Sequence, residues 1–286
     1  MQLRSKLLAL AAGLAFAASA QADIKIGVIS SATGPVSLIG IPQKNTVALM
    51  PTEIAGEKVE YVTFDDASDP SNTVTLVKKL ISEENIDALV GPSSSPSAMA
   101  ILDFIAEAKV PTLAPVGTIA VVVPMDDKRR WVFKTTQNDG LVAEKLFKHM
   151  QETGKKTIGF IGTGDTFGET WYKVAQDYAD KYGVEIVANE RFKRPDTSVT
   201  GQALKVLSAK PDAVLIAAPG GPAVLPQATL ADMGYKGTIY QTHGAALKEF
   251  IKLGGKKVEG TILGGSLMLA PEDAPDSNPA KKVELE

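Results

Sequence analysis

Ala213-Val214-Leu215-Ile216-Ala217-Ala218-Pro219-Gly220-Gly221-Pro222 decides the fold. Six consecutive apolar residues with no polar alternation need cover on both faces, as in an interior strand of a parallel sheet. The run stops at a Pro-Gly-Gly-Pro turn. Helical patterns flank it at Thr200–Ser208 and Ala223–Met233. A strand placed between helices, and ending on a glycine turn, is one unit of an α/β sheet.

The same unit recurs outward in both directions. Further strands are expected at Ile24–Ile29, Val59–Phe64, Asp87–Val90, Thr112–Ala114, Val132–Lys134, Ile158–Ile161, Val184–Val187 and Thr238–Gln241. Helices are expected at Gln43–Glu53, Asn72–Ile81, Ser97–Ala108, Leu141–Glu152, Glu169–Tyr182 and Ala246–Lys252. The repeat implies doubly wound parallel sheets. It runs twice, divided by the polar stretch Phe133–Asp139, which follows an irregular segment containing Pro124, Asp126 and Asp127. That stretch reads as a crossing from one lobe to another, and the apolar run Gly260–Leu269 as the crossing back. Lobe one is then residues 23–135 with 268–286, and lobe two is 136–267. The tail from Pro271 to Glu286 is rich in proline and acid and carries little secondary-structure signal.

The N-terminus reads differently. Arg4 and Lys6 precede an apolar run, Leu7–Ala18, and Ala20-Gln21-Ala22 follows. Basic, apolar, then A-x-A is the layout of a cleavable export signal, and the run is too short to span a bilayer stably. Residues 1–22 are therefore expected to be removed after Ala22, leaving a chain in the periplasm. With no cysteine, the chain has no disulfides, thiolate metal sites or thiol nucleophiles. Its 44% apolar content is enough for a core that holds without them. A net charge of −3 without long basic runs gives no sign of nucleic-acid binding.

In an open parallel sheet, ligands sit beyond the carboxyl ends of the strands. Three of those ends carry small hydroxyl residues and glycine: Ser30–Ser37, Gly91–Ser97 and Pro115–Thr118. Together they would place N–H and O–H donors around one point, which suits a carboxylate. Ordinary turn and helix-cap chemistry accounts equally well for any one of these loops. Gly162-Thr163-Gly164-Asp165-Thr166-Phe167-Gly168 misses the dinucleotide spacing, since its third glycine falls one residue late. No nucleophile elbow, zinc-protease helix or phosphate loop occurs. Two histidines, His149 and His243, cannot build a His-based metal cluster. Neither a metal nor a cofactor is expected. His149 is expected to be solvated on a helix, and His243 to face a cleft from a strand end.

In this order and spacing, several segments resemble the periplasmic solute-binding proteins of bacterial ABC transporters, of the leucine/isoleucine/valine-binding type. The carriers are Ile24-Lys25-Ile26-Gly27, Thr33-Gly34-Pro35 with Gly40, Asp65-Asp66-Ala67-Ser68-Asp69-Pro70 and Val90-Gly91-Pro92. They continue with Asp165 to Gly168, Pro211-Asp212-Ala213-Val214 and Leu230 to Gly237. The resemblance implies two α/β lobes joined by a hinge and closing on a ligand, and a receptor rather than an enzyme. Its partners would be a small carboxylate and an inner-membrane permease, and the chain would be a monomer. It implies that Ser94, with Ser95 beside it, and Thr118 meet the ligand carboxylate, that Val116 offers backbone contacts, and that Phe167 lines the far wall.

Three departures bear on the ligand. Where amino-acid binders carry an acid for the ligand ammonium, this chain has His243; where they carry aromatics, it has Ile39 and Pro219. An ammonium buried without a partner is costly, so an organic or aromatic acid without an α-amino group is expected instead. His243 would donate to an oxo or hydroxyl group or a second carboxylate. Branched-chain amino-acid binding, a ligand-sensing ectodomain of the same fold, and a hydrolase using Ser94 or Ser95 with His243 are the competing readings. The family normally continues beyond the point where this sequence stops, so exposed apolar surface and low stability are also expected.

Overall fold

A computed structural model describes residues 24–266, 269–278 and 281. The expected export signal, residues 1–22, lies outside the described residues. Two open sheets form the frame. The first contains β1 (Ile24–Ser30), β2 (Glu53–Ile54), β3 (Glu57–Asp65), β4 (Ala88–Val90), β5 (Thr112–Ala114) and β6 (Val132–Lys134), in the order β2-β3-β1-β4-β5-β6. The second contains β7 (Thr157–Thr163), β8 (Glu185–Phe192), β9 (Ala213–Ala217), β10 (Thr238–Gln241) and β11 (Ile262–Leu263), in the order β11-β10-β9-β7-β8. Every described pairing is parallel except that of β2 with β3.

The helices are α1 (Ser37–Thr46), α2 (Pro70–Ser82), α3 (Ser95–Ala100), α4 (Leu102–Ala108), α5 (Asp139–Glu152), α6 (Thr166–Tyr182), α7 (Thr200–Ser208), α8 (Val224–Asp232) and α9 (Lys248–Gly254). Strand β9 explains its own sequence. All five of its residues are buried. Leu215 faces one core with Phe147, Phe160 and Trp171, while Val214 and Ile216 face another with Val206 and Leu230. Two cores on opposite faces leave no position for a polar side chain. Truncating Leu215 to alanine would cost about 2–5 kcal/mol.

Lobe one has a single core around Ile29, Leu80, Leu89 and Ile105. Leu113 on β5 and Phe133 on β6 are 47% and 54% exposed, an uncovered apolar strip at that end of its sheet. Buried Asp66 ties its loops together. Its carboxylate accepts from the Ser31 hydroxyl (2.7 Å), the Ser68 N–H (2.9 Å) and the Thr73 and Ser97 hydroxyls (2.8 and 3.4 Å). One carboxylate thus joins the loops after β1 and β3 to α2 and α3. Neighbouring Asp69 caps α2 by accepting from the N–H groups of Ser71 and Asn72.

The structure corrects several expected boundaries. The helix placed at Gln43–Glu53 starts earlier, at Ser37, and gives way to a 3₁₀ turn at Val47–Leu49. After Pro51 the chain makes a two-residue hairpin. Ala55 and Gly56, both at positive φ (54° and 87°), connect Glu53–Ile54 to β3, the geometry that joins tightly twisted antiparallel strands. The helix expected at Ser97–Ala108 is two, broken at Ile101, and begins at Ser95 because Ser94 caps it. Among the described residues of Gly260–Leu269, strand is formed at Ile262–Leu263, which pairs with β10 in the second sheet. His149 is not a solvated surface residue: it is half-buried, with Nδ1 2.9 Å from the Tyr240 hydroxyl.

Candidate ligand-binding site

The carboxyl ends of β1, β4 and β5 are adjacent in the first sheet, and those of β7, β9 and β10 in the second. The loops beyond them face each other around a cavity of about 130 Å³. Lobe one supplies Ser93, Ser94 and Ser95 after β4, Pro115 and Gly117 after β5, and Ile39 and Gln43 from α1, while Thr136 comes from the crossing between the lobes. Lobe two supplies Phe167 from α6, Pro219 after β9, His243 and Gly244 after β10, Leu247, and Arg194 after β8.

The serines have a shared hydrogen-bonding state. Ser93 Oγ accepts from the Ser31 N–H (3.0 Å), Ser94 Oγ from the Ser97 N–H (3.3 Å) and Ser95 Oγ from the Thr118 N–H (3.3 Å). A hydroxyl has one proton to donate. One of its two acceptor lone pairs is taken by a backbone N–H in all three, and the three residues line one wall of the cavity, where their O–H groups can donate. That is a carboxylate-binding arrangement built from neutral groups.

The lobes touch closely around this point. A Cβ on Gly117 would lie 2.5 Å from Phe167 Cε2 and 2.9 Å from His243 Nε2, so the lobe-one loop approaches lobe two only because residue 117 has no side chain. Beside it, the hydroxyls of Thr118 and Thr170 are 2.8 Å apart, and the Ile119 N–H donates to Asp139 Oδ2 (3.1 Å).

Behind the cavity lies a buried charged group. The side chain of His243 is 8% exposed and that of Asp139 is fully enclosed, with Nε2 3.8 Å from Oδ1. Neither ring nitrogen of His243, nor Asp139 Oδ1, has a hydrogen-bond partner. Burial, reinforced by the charge of Lys134, pushes the His243 pKa down to about 4. Burial pushes Asp139 up to about 7, against the opposing Ile119 N–H and Lys134. Burial also brings Lys134 down to about 8, against Asp139. The imidazole is neutral at neutral pH, with one N–H to donate and one lone pair to accept. It packs edge-on against Phe167 and tilted against Trp171, with centroids 5.9 and 5.6 Å away.

Asp165 is a half-buried acid of lobe two. Burial raises its pKa, but Arg194, Thr163 and the Gly168 N–H outweigh that and hold it below the ordinary carboxylate range. Its Oδ1 accepts from the Thr163 hydroxyl and the N–H groups of Phe167 and Gly168, capping α6, while Oδ2 accepts from Arg194 Nε at 2.5 Å.

Of the residues singled out from sequence, Ser94, Ser95, Phe167, His243, Ile39 and Pro219 line the cavity. Val116 and Thr118 do not. Val116 packs into the lobe-one core, and its carbonyl accepts from the Thr136 hydroxyl. The Thr118 hydroxyl is taken up by Thr170 and the Ala120 N–H. Arg194, Thr136, Gln43 and Leu247 escaped the sequence reading. Arg194 was within its reach, since it follows a strand end. The strand was taken to stop at Val187, whereas β8 continues to Phe192 through the polar residues Asn189, Glu190 and Arg191.

Residues 23–282 match the family model described as "Periplasmic binding protein". The Leu/Ile/Val-binding protein BraC3 of Rhizobium johnstonii is 29% identical over 271 residues, covering 92% of this chain and 72% of that protein. An extracellular ligand-binding receptor from Rhodopseudomonas palustris HaA2 superposes with a TM-score of 0.89 at 48% identity, over 92% of this chain and 73% of that one. A solute-binding protein of an ABC transporter from R. palustris, in complex with 4-hydroxybenzoate, superposes with a TM-score of 0.80 at 22% identity. It covers 92% of this chain and 72% of its own. Among the described residues no helix is long and apolar enough to cross a membrane, and no group of three or more acids or histidines could hold a metal ion.

Proposed function

We propose that this chain, which belongs to the periplasmic binding protein family, binds a small organic acid between its lobes and delivers it to an inner-membrane permease. The family's members of the branched-chain-amino-acid type are solute receptors of ABC transporters, not enzymes. The finer reading concerns the ligand. It is carried by one observation: Ser93, Ser94 and Ser95 line the cavity together, each with its Oγ already accepting from a backbone N–H.

Two further facts favour an acid without an α-amino group. No acidic residue lines the cavity, so a ligand ammonium would be buried without a counter-charge. Neutral His243 can exchange a hydrogen bond with a ligand hydroxyl or oxo group. A cavity of about 150 Å³ accepts a benzene ring, so about 130 Å³ is of a size for one small ring or a branched aliphatic chain. The fold itself does not choose, since relatives carry names or ligands of both kinds.

In this reading residues 23–135 with 268–286 form lobe one and 136–267 form lobe two. The contacts of Gly117, Thr118 and Ile119 with lobe two belong to the closed state that the permease recognises. The chain works as a monomer in the periplasm after cleavage behind Ala22. Calorimetry with benzoate, 4-hydroxybenzoate and leucine tests the ligand. One-site binding of an aromatic acid, with leucine inert, is expected; tight leucine binding with no response to the acids would establish branched-chain amino-acid binding instead.

A further inference from the structure

Arg194 brings a positive charge to the cavity wall, and only part of its hydrogen-bonding capacity is used. The turn that presents it is closed by the Asp196 N–H on the Lys193 carbonyl (2.9 Å) and by the Lys193 N–H on Asp196 Oδ2 (2.8 Å). The Arg194 side chain is 11% exposed. Its Nε is committed to Asp165, while its Nη2 is buried and has no hydrogen-bond partner. A guanidinium N–H removed from water and left unpaired is destabilising, and an incoming acceptor would remove that cost.

The position of this group matters. Arg194 and Ser94 both line the inner cavity, and both also line a second cavity of about 430 Å³. Ser94 belongs to lobe one and Arg194 to lobe two, so the two residues meet both spaces from opposite lobes. An oxyanion accepting from the serine hydroxyls would share its cavity with Arg194. Asp165 does not already satisfy the arginine: its Oδ1 serves the start of α6, and only Oδ2 meets the guanidinium.

We infer that Arg194 is the lobe-two half of the carboxylate site, donating from Nη2 to the ligand carboxylate that the Ser93–Ser95 hydroxyls hold from lobe one. This rests on the carboxylate reading above and deepens it. One anionic group would then be gripped from both lobes, so the ligand's charge is itself what draws them together. Uncharged analogues of the same shape would meet lobe one without engaging Arg194. The ligand class narrows to compounds ionised at this end, since a carboxamide cannot accept from the serines and a fixed cation with equal strength.

The test measures binding of benzoate, 4-hydroxybenzoate, 4-methylpentanoate and leucine, each beside its carboxamide, to the full chain and to Arg194→Gln. For whichever acid binds, the substitution should weaken binding about 30-fold while changing the amide's affinity less than about threefold. A merely structural role for Arg194 would shift acid and amide alike. A double-mutant cycle with Ser94→Ala should show coupling, because both side chains hold the same anion. If Arg194→Gln loses its cooperative melt, Arg194→Lys is read in its place. It keeps a charge beside Asp165 without the fork, and a selective loss of about fivefold for the acid is expected. An acid bound equally by parent and variant, or a variant that weakens acid and amide equally, overturns the inference while leaving the receptor reading intact. Failure of every acid to bind overturns both.

Discussion

Two neighbouring residues, Asp139 and His243, give the site a pH signature that can be worked out with its sign. Burial holds Asp139 at about 7. The folded chain therefore keeps a proton that the unfolded chain releases near the ordinary carboxylate value of 3.8; this stabilises the fold at low pH and is lost as pH rises towards 7. His243 runs the other way. Burial, with the charge of Lys134, lowers it to about 4 from 6.5, so its contribution is present above 6.5 and lost as pH falls towards 4. Each slope is worth up to about 1.4 kcal/mol per pH unit, and between about pH 4 and 6.5 they oppose. Relative to the parent, Asp139→Asn should raise the melting temperature more at pH 6.5 than at pH 4.5, and His243→Gln should do the reverse. Melting curves of both variants at the two pH values check this; parallel shifts would contradict it. Little of this pair was legible beforehand. His243 is visible as a strand-end residue, but Asp139 reads only as the end of the polar crossing Phe133–Asp139. Only the fold shows it enclosed behind the His243 ring. The serines were legible as a cluster, whereas their shared donor state depends on the N–H groups of Ser31, Ser97 and Thr118, which no sequence pattern brings to them.

At the level of elements, the loops of lobe one depend on the buried Asp66 carboxylate more than on any local turn preference. Asp66→Ala would leave the Ser31, Thr73 and Ser97 hydroxyls and the Ser68 N–H short of an acceptor, at a cost of about 3 kcal/mol. Thermal melting should show the loss in lobe one, with Asp66→Asn milder because it keeps one acceptor oxygen. A melt unchanged by Asp66→Ala would show that the loops are held otherwise. Strands were easy to read where burial on both faces forces an unbroken apolar run, as at Ala213–Ala217. They were misjudged where they continue as half-polar edges, as in β8 beyond Val187. The hairpin at Glu53–Lys58 was missed because its turn is Ala55-Gly56, not the Asn-Gly or Asp-Gly pair that marks such turns. The break at Ile101 within an otherwise helical pattern has no signal in residue type.

Over the whole molecule, two sheets are placed so that the carboxyl ends of three adjacent strands in each face one shared cavity. Closure is recorded in close contacts: the missing side chain of Gly117 against Phe167 and His243, and the Thr118–Thr170 hydroxyl pair. These contacts sit beside the cavity; in the proposed reading, closing the lobes and enclosing an acid held by lobe one are one event. A crystal structure of the chain grown with 4-hydroxybenzoate tests this most directly. The account predicts the carboxylate against the Ser93–Ser95 hydroxyls, the ring between Ile39 and Phe167, and the hydroxyl at His243. A ligand bound anywhere outside the interlobe cavity, or a cavity left empty at saturating acid, would contradict it.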